Sequence, residues 1–117
     1  MTENKSEVDK TQHPWGFEIT WAKQPSYSGR VLIIKEGERT PYIYHKKRDK
    51  TLFILQGVVQ LIIEGKNRLL SIGEQFHVLP KMMHRIQAVR GDATVLEVGT
   101  ELTDDIVVVK DDFSTVK

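Results

Sequence analysis

Two histidines, His45 and His84, are the residues of this chain best suited to do chemistry. A neutral imidazole is a good ligand for zinc, iron, nickel and copper, and it also donates or accepts hydrogen bonds. A protein metal site normally supplies three or four ligands, so two histidines need at least one further group. The pair therefore predicts either a metal centre or a polar pocket for a small molecule.

Asp49 and Lys50, which follow His45 after four and five residues, are the candidates for a further group. Asp49 would complete a triad of two histidines and one carboxylate, an arrangement that binds iron(II) and leaves coordination positions open. Lys50 would instead place a positive charge near both histidines, and burial would lower the pKa of its amine. Alternation of side chains along a strand favours Lys50 facing inward and Asp49 facing outward.

Three interpretations of these residues remain open. In the first, His45, Asp49 and His84 hold one divalent metal ion, with zinc, iron, manganese and nickel as the candidates. In the second, His45, Lys50 and His84, with Ile43 beside them, bind an anionic or carbonyl-bearing molecule without a metal, and the three polar residues are the catalytic candidates. In the third, the two histidines only form hydrogen bonds inside a polar cavity.

The elements that must position these residues are short strands. About nine segments rich in β-branched and aromatic residues alternate with turn-forming glycine, proline, asparagine and aspartate. The predicted strands include 51–56, 58–63, 85–89 and 94–98, with turns at Gly57 and Gly91. No window has the period of a long amphipathic helix. The pattern predicts one all-β barrel domain over 13–117, after a mobile N-terminal arm over 1–12.

The spacing of glycine, proline and histidine resembles the two motifs of the cupin superfamily. The first motif is carried by Gly37, His45 and Gly57, and the second by Gly73, Pro80 and His84. The opening His13-Pro14-Trp15-Gly16 also resembles small stand-alone cupins related to type II phosphomannose isomerases and to the C-terminal domain of mannose-1-phosphate guanylyltransferases. This resemblance covers residues 13–113 and implies a single cupin barrel, also described as a jelly roll or double-stranded β-helix.

The resemblance also implies a function. The metal ligands of that family correspond to positions 43, 45, 50 and 84, where this chain has Ile43, His45, Lys50 and His84. Val108 stands where the family usually has an arginine. One implied function is a cupin with a partly degenerate metal site that binds a sugar-like or other small polar ligand. The alternative is a metal-dependent isomerase of the mannose-6-phosphate type, acting on a sugar or sugar phosphate through His45, Asp49 and His84.

Composition limits the partners. Lysine and arginine number 17 and aspartate and glutamate 16, so the near-zero net charge gives no reason to expect nucleic acid as a partner. No run of about 20 apolar residues would cross a membrane, and residues 1–13 lack the apolar core of a signal peptide, so we expect a cytoplasmic protein. The β-branched run Ile106–Val109, together with the resemblance, predicts a homodimer.

Overall fold

The computed structural model describes residues 8–110 and confirms the all-β prediction. The described residues contain strands only, joined by turns and short irregular segments. The strands are β1 Asp9–His13, β2 Gly16–Lys23, β3 Ser28–Ile34, β4 Tyr42–His45, β5 Lys50–Ile63, β6 Lys66–Leu70, β7 Gln75–Val78, β8 His84–Gly99 and β9 Ile106–Lys110. No helix in this part of the chain is long and apolar enough to span a membrane.

All pairings are antiparallel, and the strands form one curled sheet. The order β1-β2-β3-β8-β4-β9 runs around the sheet, and β5 pairs with β8 along most of its length and also with β6 and β7. The β4–β9 pairing places Ile43 opposite Val108 and His45 opposite Ile106, so these four residues form two neighbouring cross-strand pairs. The pairing of β4 with β9 therefore brings the last described strand beside His45.

Two long strands replace the four shorter strands that were predicted. The predicted segments 51–56 and 58–63 join into β5, and 85–89 and 94–98 join into β8. The expected turns at Gly57 and Gly91 were wrong: both glycines lie within strands, with φ of 83° and 73°, and the β5–β8 register shifts beside Gly57. A glycine with positive φ lets a paired strand bend through a bulge instead of ending it.

The predicted N-terminal arm is also shorter than expected. Residues Asp9–His13 form β1 and pair with β2, with Asp9 opposite Thr20 and His13 opposite Gly16. The prediction of a mobile segment was therefore wrong for residues 9–12, where polar residues join the edge of a sheet that supplies their backbone hydrogen bonds. The rest of the arm over 1–7, and the end of the predicted domain over 111–117, lie outside the described residues.

The hydrophobic core fills most of the space between the two sides of the curled sheet. Its members alternate with outward-facing residues along the strands, as period-two patterning requires. The strand residues that are fully or almost fully buried include Leu32, Ile34, Leu52, Ile54, Val59, Leu61, Ile86 and Val95. Trp15 joins this core from the turn before β2, whereas Trp21 within β2 is half exposed. The core leaves an opening at one end, where polar residues replace apolar ones.

Strand β9 lies at an edge of the described sheet. It pairs with β4, and its other side has no partner strand among residues 8–110. Ile106, Val108 and Val109 are each more than two-fifths exposed. An apolar edge of this kind favours association, but the homodimer stays a prediction.

Candidate functional site

A cavity of about 230 Å³ opens between strands β2, β3, β4, β8 and β9. Lys50, the first residue of β5, also lines the cavity, and so does Trp15 in the turn before β2. Most of the wall is apolar, and the polar groups gather at the inner end. The lining residues are His13, Trp15, Glu18, Arg30, Leu32, Thr40, Pro41, Ile43, His45, Lys50, His84, Ile86, Glu97, Ile106 and Val108.

Lys50 lies between a carboxylate and a histidine at the inner end of the cavity. Its Nζ is 2.7 Å from Oε2 of Glu97 and 3.1 Å from Nε2 of His45. Burial lowers the pKa of the Lys50 amine, and the carboxylate of Glu97 opposes that effect. An ammonium group has three N–H donors, so these two contacts leave one N–H for a third acceptor.

Glu97 faces three cations. Besides Lys50, its Oε1 lies 3.2 Å from Nη1 of Arg48 and 3.6 Å from Nε of Arg30, as ion pairs without hydrogen-bond geometry. Burial alone would raise the pKa of the Glu97 carboxyl, but Lys50, Arg48 and Arg30 hold that pKa well below its usual value. Arg48 is itself anchored, because its Nη2 donates to Oγ of Ser28 at 2.6 Å. The Glu97 carboxylate is therefore the shared ion-pair partner of these three cations.

The hydrogen bonds of His45 fix its tautomer. Its Nδ1 is 3.2 Å from Oδ1 of Asp105, and a carboxylate can only accept, so the proton sits on Nδ1. The Nε2 lone pair then accepts from the ammonium of Lys50. Burial, and next the charge of Lys50, lower the pKa of His45 to about 4. Asp105 in turn accepts from the backbone N–H groups of Lys47 and Arg48, both at 2.9 Å.

His84 is also neutral and presents a lone pair to the cavity. Its Nδ1 donates to the carbonyl oxygen of Met82 at 2.9 Å, so Nε2 is an acceptor. This Nε2 has no hydrogen-bond partner among residues 8–110, and His84 lines the cavity. Burial lowers the pKa of His84 to about 3, and Lys50 adds to the shift. The rings of His45 and His84 lie 6.0 Å apart, centroid to centroid. The inner end therefore holds two groups that can bond to a ligand, the Lys50 ammonium and the Nε2 lone pair of His84.

Solved structures of other proteins share this architecture. KdgF from a Halomonas species superposes with a TM-score of 0.75 and 23% identity, over 82% of this chain and 88% of that protein. The capsular polysaccharide assembling protein CapF from Staphylococcus aureus gives 0.81 and 14%, over 90% of this chain but 35% of CapF. A proposed sugar phosphate isomerase from Acidithiobacillus ferrooxidans gives 0.70 and 15%, over 89% and 74%. These neighbours are cupins. This chain has the cupin fold. No protein-family model and no curated protein matches its sequence.

The motifs thus predicted the fold, and the structure places Lys50 and not Asp49 in the interior. Lys50 is buried beside His45, whereas the Asp49 carboxylate is 42% exposed and lies 2.6 Å from Nε2 of His77 on the outer surface. Ile43 and His84 line the cavity with His45. The triad of His45, Asp49 and His84 is therefore not assembled, because alternation after the turn sends Asp49 outward.

The residues of this cupin interior do not fit a divalent metal ion. No group of three or more His, Asp or Glu side chains among residues 8–110 is arranged to hold one. The His45 lone pair that a metal would need is occupied by the ammonium of Lys50. That ammonium would also repel a cation placed between the two histidines, by about 4 kcal/mol per unit charge at 4 Å and an effective dielectric constant of 20.

Several site residues were missed from the sequence. Glu97, Arg30 and Arg48 had no predicted role, yet they form ion pairs at the inner end of the cavity. Asp105 also had no predicted role in the site, yet it is buried and bonds to His45. Adjacent residues of an extended segment point to opposite faces, so the pair Asp104 and Asp105 did carry a signal that one carboxylate could face inward. Nothing in the local sequence connects Glu97 with Lys50, because they meet only through β5–β8 pairing.

The two buried histidines predict a loss of stability in acid. Their pKa values of about 4 and 3 lie below the ordinary 6.5, so from about pH 6.5 downward the unfolded chain binds more protons than the folded one. Stability then rises with pH across this window and falls on acidification, with each histidine contributing at most about 2 kcal/mol between pH 6.5 and pH 5. Urea unfolding of His84→Gln at about pH 7 and pH 5 is expected to show a clearly smaller difference than the wild type. His77→Gln is the control because that ring is half exposed, and a full wild-type slope in His84→Gln would contradict the assignment.

Proposed function

We propose that this cupin binds a small oxygen-bearing molecule, such as a sugar, inside its barrel without a metal ion. The observation that carries the proposal is the position of the Lys50 ammonium, which bonds to Glu97 at 2.7 Å and to His45 at 3.1 Å. A cation is thereby held beside the two histidines by the protein itself. The Lys50 ammonium replaces a bound metal ion electrostatically, because its positive charge attracts a ligand oxygen.

The binding mode follows from the free donor and acceptor. The third N–H of Lys50 donates to a ligand oxygen, and a ligand hydroxyl donates to Nε2 of His84. One hydroxyl can do both, since a hydroxyl is at once donor and acceptor. His45 positions the ammonium and is itself held by Asp105 at 3.2 Å. Lys50 and His84 therefore bind the ligand, His45 holds the ammonium in place, and none of the three side chains moves a proton.

Two comparisons support a sugar-like ligand. CapF is named as a capsular polysaccharide assembling protein, and the Acidithiobacillus protein as a proposed sugar phosphate isomerase. The cavity volume of about 230 Å³ suits a monosaccharide-sized molecule better than an oligosaccharide, because it lies below the roughly 300–1,000 Å³ of sites for larger ligands. The isomerase alternative required a triad of His45, Asp49 and His84, and the geometry opposes it because Asp49 bonds to His77 instead.

Calorimetric titration with three probes tests the proposal: D-mannose, D-mannose 6-phosphate and cis-cyclohexane-1,2-diol. We expect saturable binding of at least one probe, unchanged by EDTA. Lys50→Met is expected to weaken that binding roughly 10- to 100-fold, because it removes a hydrogen bond from a charged donor. Lys46→Met is the matched control, since Lys46 is exposed and outside the cavity. Binding that EDTA abolishes, binding that Lys50→Met leaves intact, or no binding of any probe would contradict the proposal.

A further inference from the structure

We infer that the cavity selects an uncharged ligand that has a hydroxyl or carbonyl oxygen at one end and an apolar body, and that it disfavours sugar phosphates. This inference rests on the proposed function, because it names the class of ligand that the same site would take. It narrows the expectation of an anionic or carbonyl-bearing ligand to the uncharged alternative. Two features of the cavity support it: the charge balance of the lining residues and the apolar side of the wall.

Every cation at the cavity already faces a carboxylate. Lys50 is 2.7 Å from Glu97, and Arg30 lies 3.3 Å from Oε2 of Glu18 and 3.6 Å from Oε1 of Glu97. Even His13 at the mouth has its Nε2 at 3.1 Å from the other oxygen of Glu18. A ligand phosphate would therefore have to compete with these carboxylates, or be buried close to them without a cation of its own.

The charged side chains that line the cavity sum to zero. Arg30 and Lys50 supply two positive charges, and the carboxylates of Glu18 and Glu97 supply two negative ones. The two inner histidines add none, because each one donates through Nδ1 and keeps a lone pair on Nε2. A neutral ligand preserves this balance, whereas a phosphate dianion would leave the interior with an excess of two negative charges.

One side of the cavity wall, formed by β4 and β9, is apolar. Ile43 and Val108 lie opposite each other on β4 and β9, and Ile106 lies opposite His45. All three line the cavity between the polar end and the mouth. A ligand that bonds to Lys50 and His84 must lay the rest of its surface on these side chains. A hydroxyl pressed against these side chains has no hydrogen-bond partner, and burying an unpartnered hydroxyl weakens binding.

The three probes differ in the two properties that matter. The cyclohexanediol carries two neighbouring hydroxyls on a hydrocarbon ring, mannose carries hydroxyls around its ring, and mannose 6-phosphate adds the charge. We expect the diol to bind most tightly and mannose 6-phosphate most weakly, with roughly a tenfold or larger difference between these two. Lys50→Met is expected to weaken binding of the diol as well.

A cation added at the mouth should change this order. Val108→Arg places an arginine without a carboxylate partner on the cavity wall and is expected to raise the affinity for mannose 6-phosphate roughly 5- to 10-fold. Val109→Arg is the matched control, because the neighbouring Val109 is similarly exposed but does not line the cavity. The affinity for the uncharged diol should not rise in either variant.

The outcomes separate this inference from the function on which it rests. Lys50-dependent binding in which mannose 6-phosphate exceeds the diol would overturn the inference and leave the proposed function standing. An equal gain in phosphate affinity from Val108→Arg and Val109→Arg would also overturn it, because the cavity charge would then not be the cause. Failure of all three probes to bind the wild-type chain would overturn both.

Discussion

Glu97→Gln is expected to destabilise this protein by about 3–5 kcal/mol, the typical cost of removing one partner from a buried ion pair. Glu97 is 2% exposed and faces Lys50, Arg48 and Arg30. The amide of glutamine has nearly the same shape, so the loss reports the missing charge and not a cavity. Chemical denaturation at neutral pH measures it.

Two further variants identify the cause of that loss. Lys50→Met removes one of the three cations, so Glu97→Gln should cost less in that background than in the wild type, by roughly 1–3 kcal/mol of coupling. Glu101→Gln is the control for the substitution itself, since Glu101 is exposed, and it should change the free energy of unfolding by less than about 0.5 kcal/mol. Strictly additive losses at positions 97 and 50 would show that the two side chains do not interact energetically.

The double variant Ile43→His with Lys50→Glu is expected to create a zinc site. Position 43 lies on β4 opposite His84, and position 50 reaches His45, so the two substitutions supply an imidazole and a carboxylate to the existing histidines. Exchanging the ammonium for a carboxylate changes repulsion of the zinc ion into attraction, since each unit-charge pair at 4 Å contributes about 4 kcal/mol at an effective dielectric constant of 20. Zinc titration should therefore show one site per chain.

Ile43→His alone is the matched control for that experiment. It adds the same imidazole but keeps the Lys50 ammonium on the lone pair of His45. Zinc should bind to the double variant roughly 100-fold or more tightly than to this single variant. Similar zinc affinities in both would show that the ammonium of Lys50 does not keep cations out of the barrel.

The fold could be predicted because its signals are local and repeated. Period-two alternation predicts strands, and the spacing of Gly37, His45, Gly73, Pro80 and His84 resembles cupin motifs that the comparisons support. Alternation also favoured Lys50 inside and Asp49 outside, as the structure has them. The same local rules failed at Gly57, because a glycine bulge inside a long paired strand has the composition of a turn.

The electrostatic character of the site could not be predicted from the sequence. Lys50 by itself suggested a pocket for an anionic or carbonyl-bearing molecule, and the anionic alternative depended on the lysine being unpaired. Its partner Glu97 lies 47 residues away along the chain and meets it only because β8 pairs with β5. Asp105 likewise reaches His45 from the loop before β9. Long-range pairing determines which charges meet, and no local pattern records it.

The central claim is that the Lys50 ammonium takes the place of a metal ion beside the two inner histidines, His45 and His84. Metal analysis of the wild-type chain tests this claim most directly. The chain would be purified without chelators, incubated with zinc, passed through a desalting column and measured by plasma mass spectrometry. We predict far less than one zinc ion per chain, and no change in the zinc content after His45→Gln. One zinc ion per chain that disappears in His45→Gln would contradict the account.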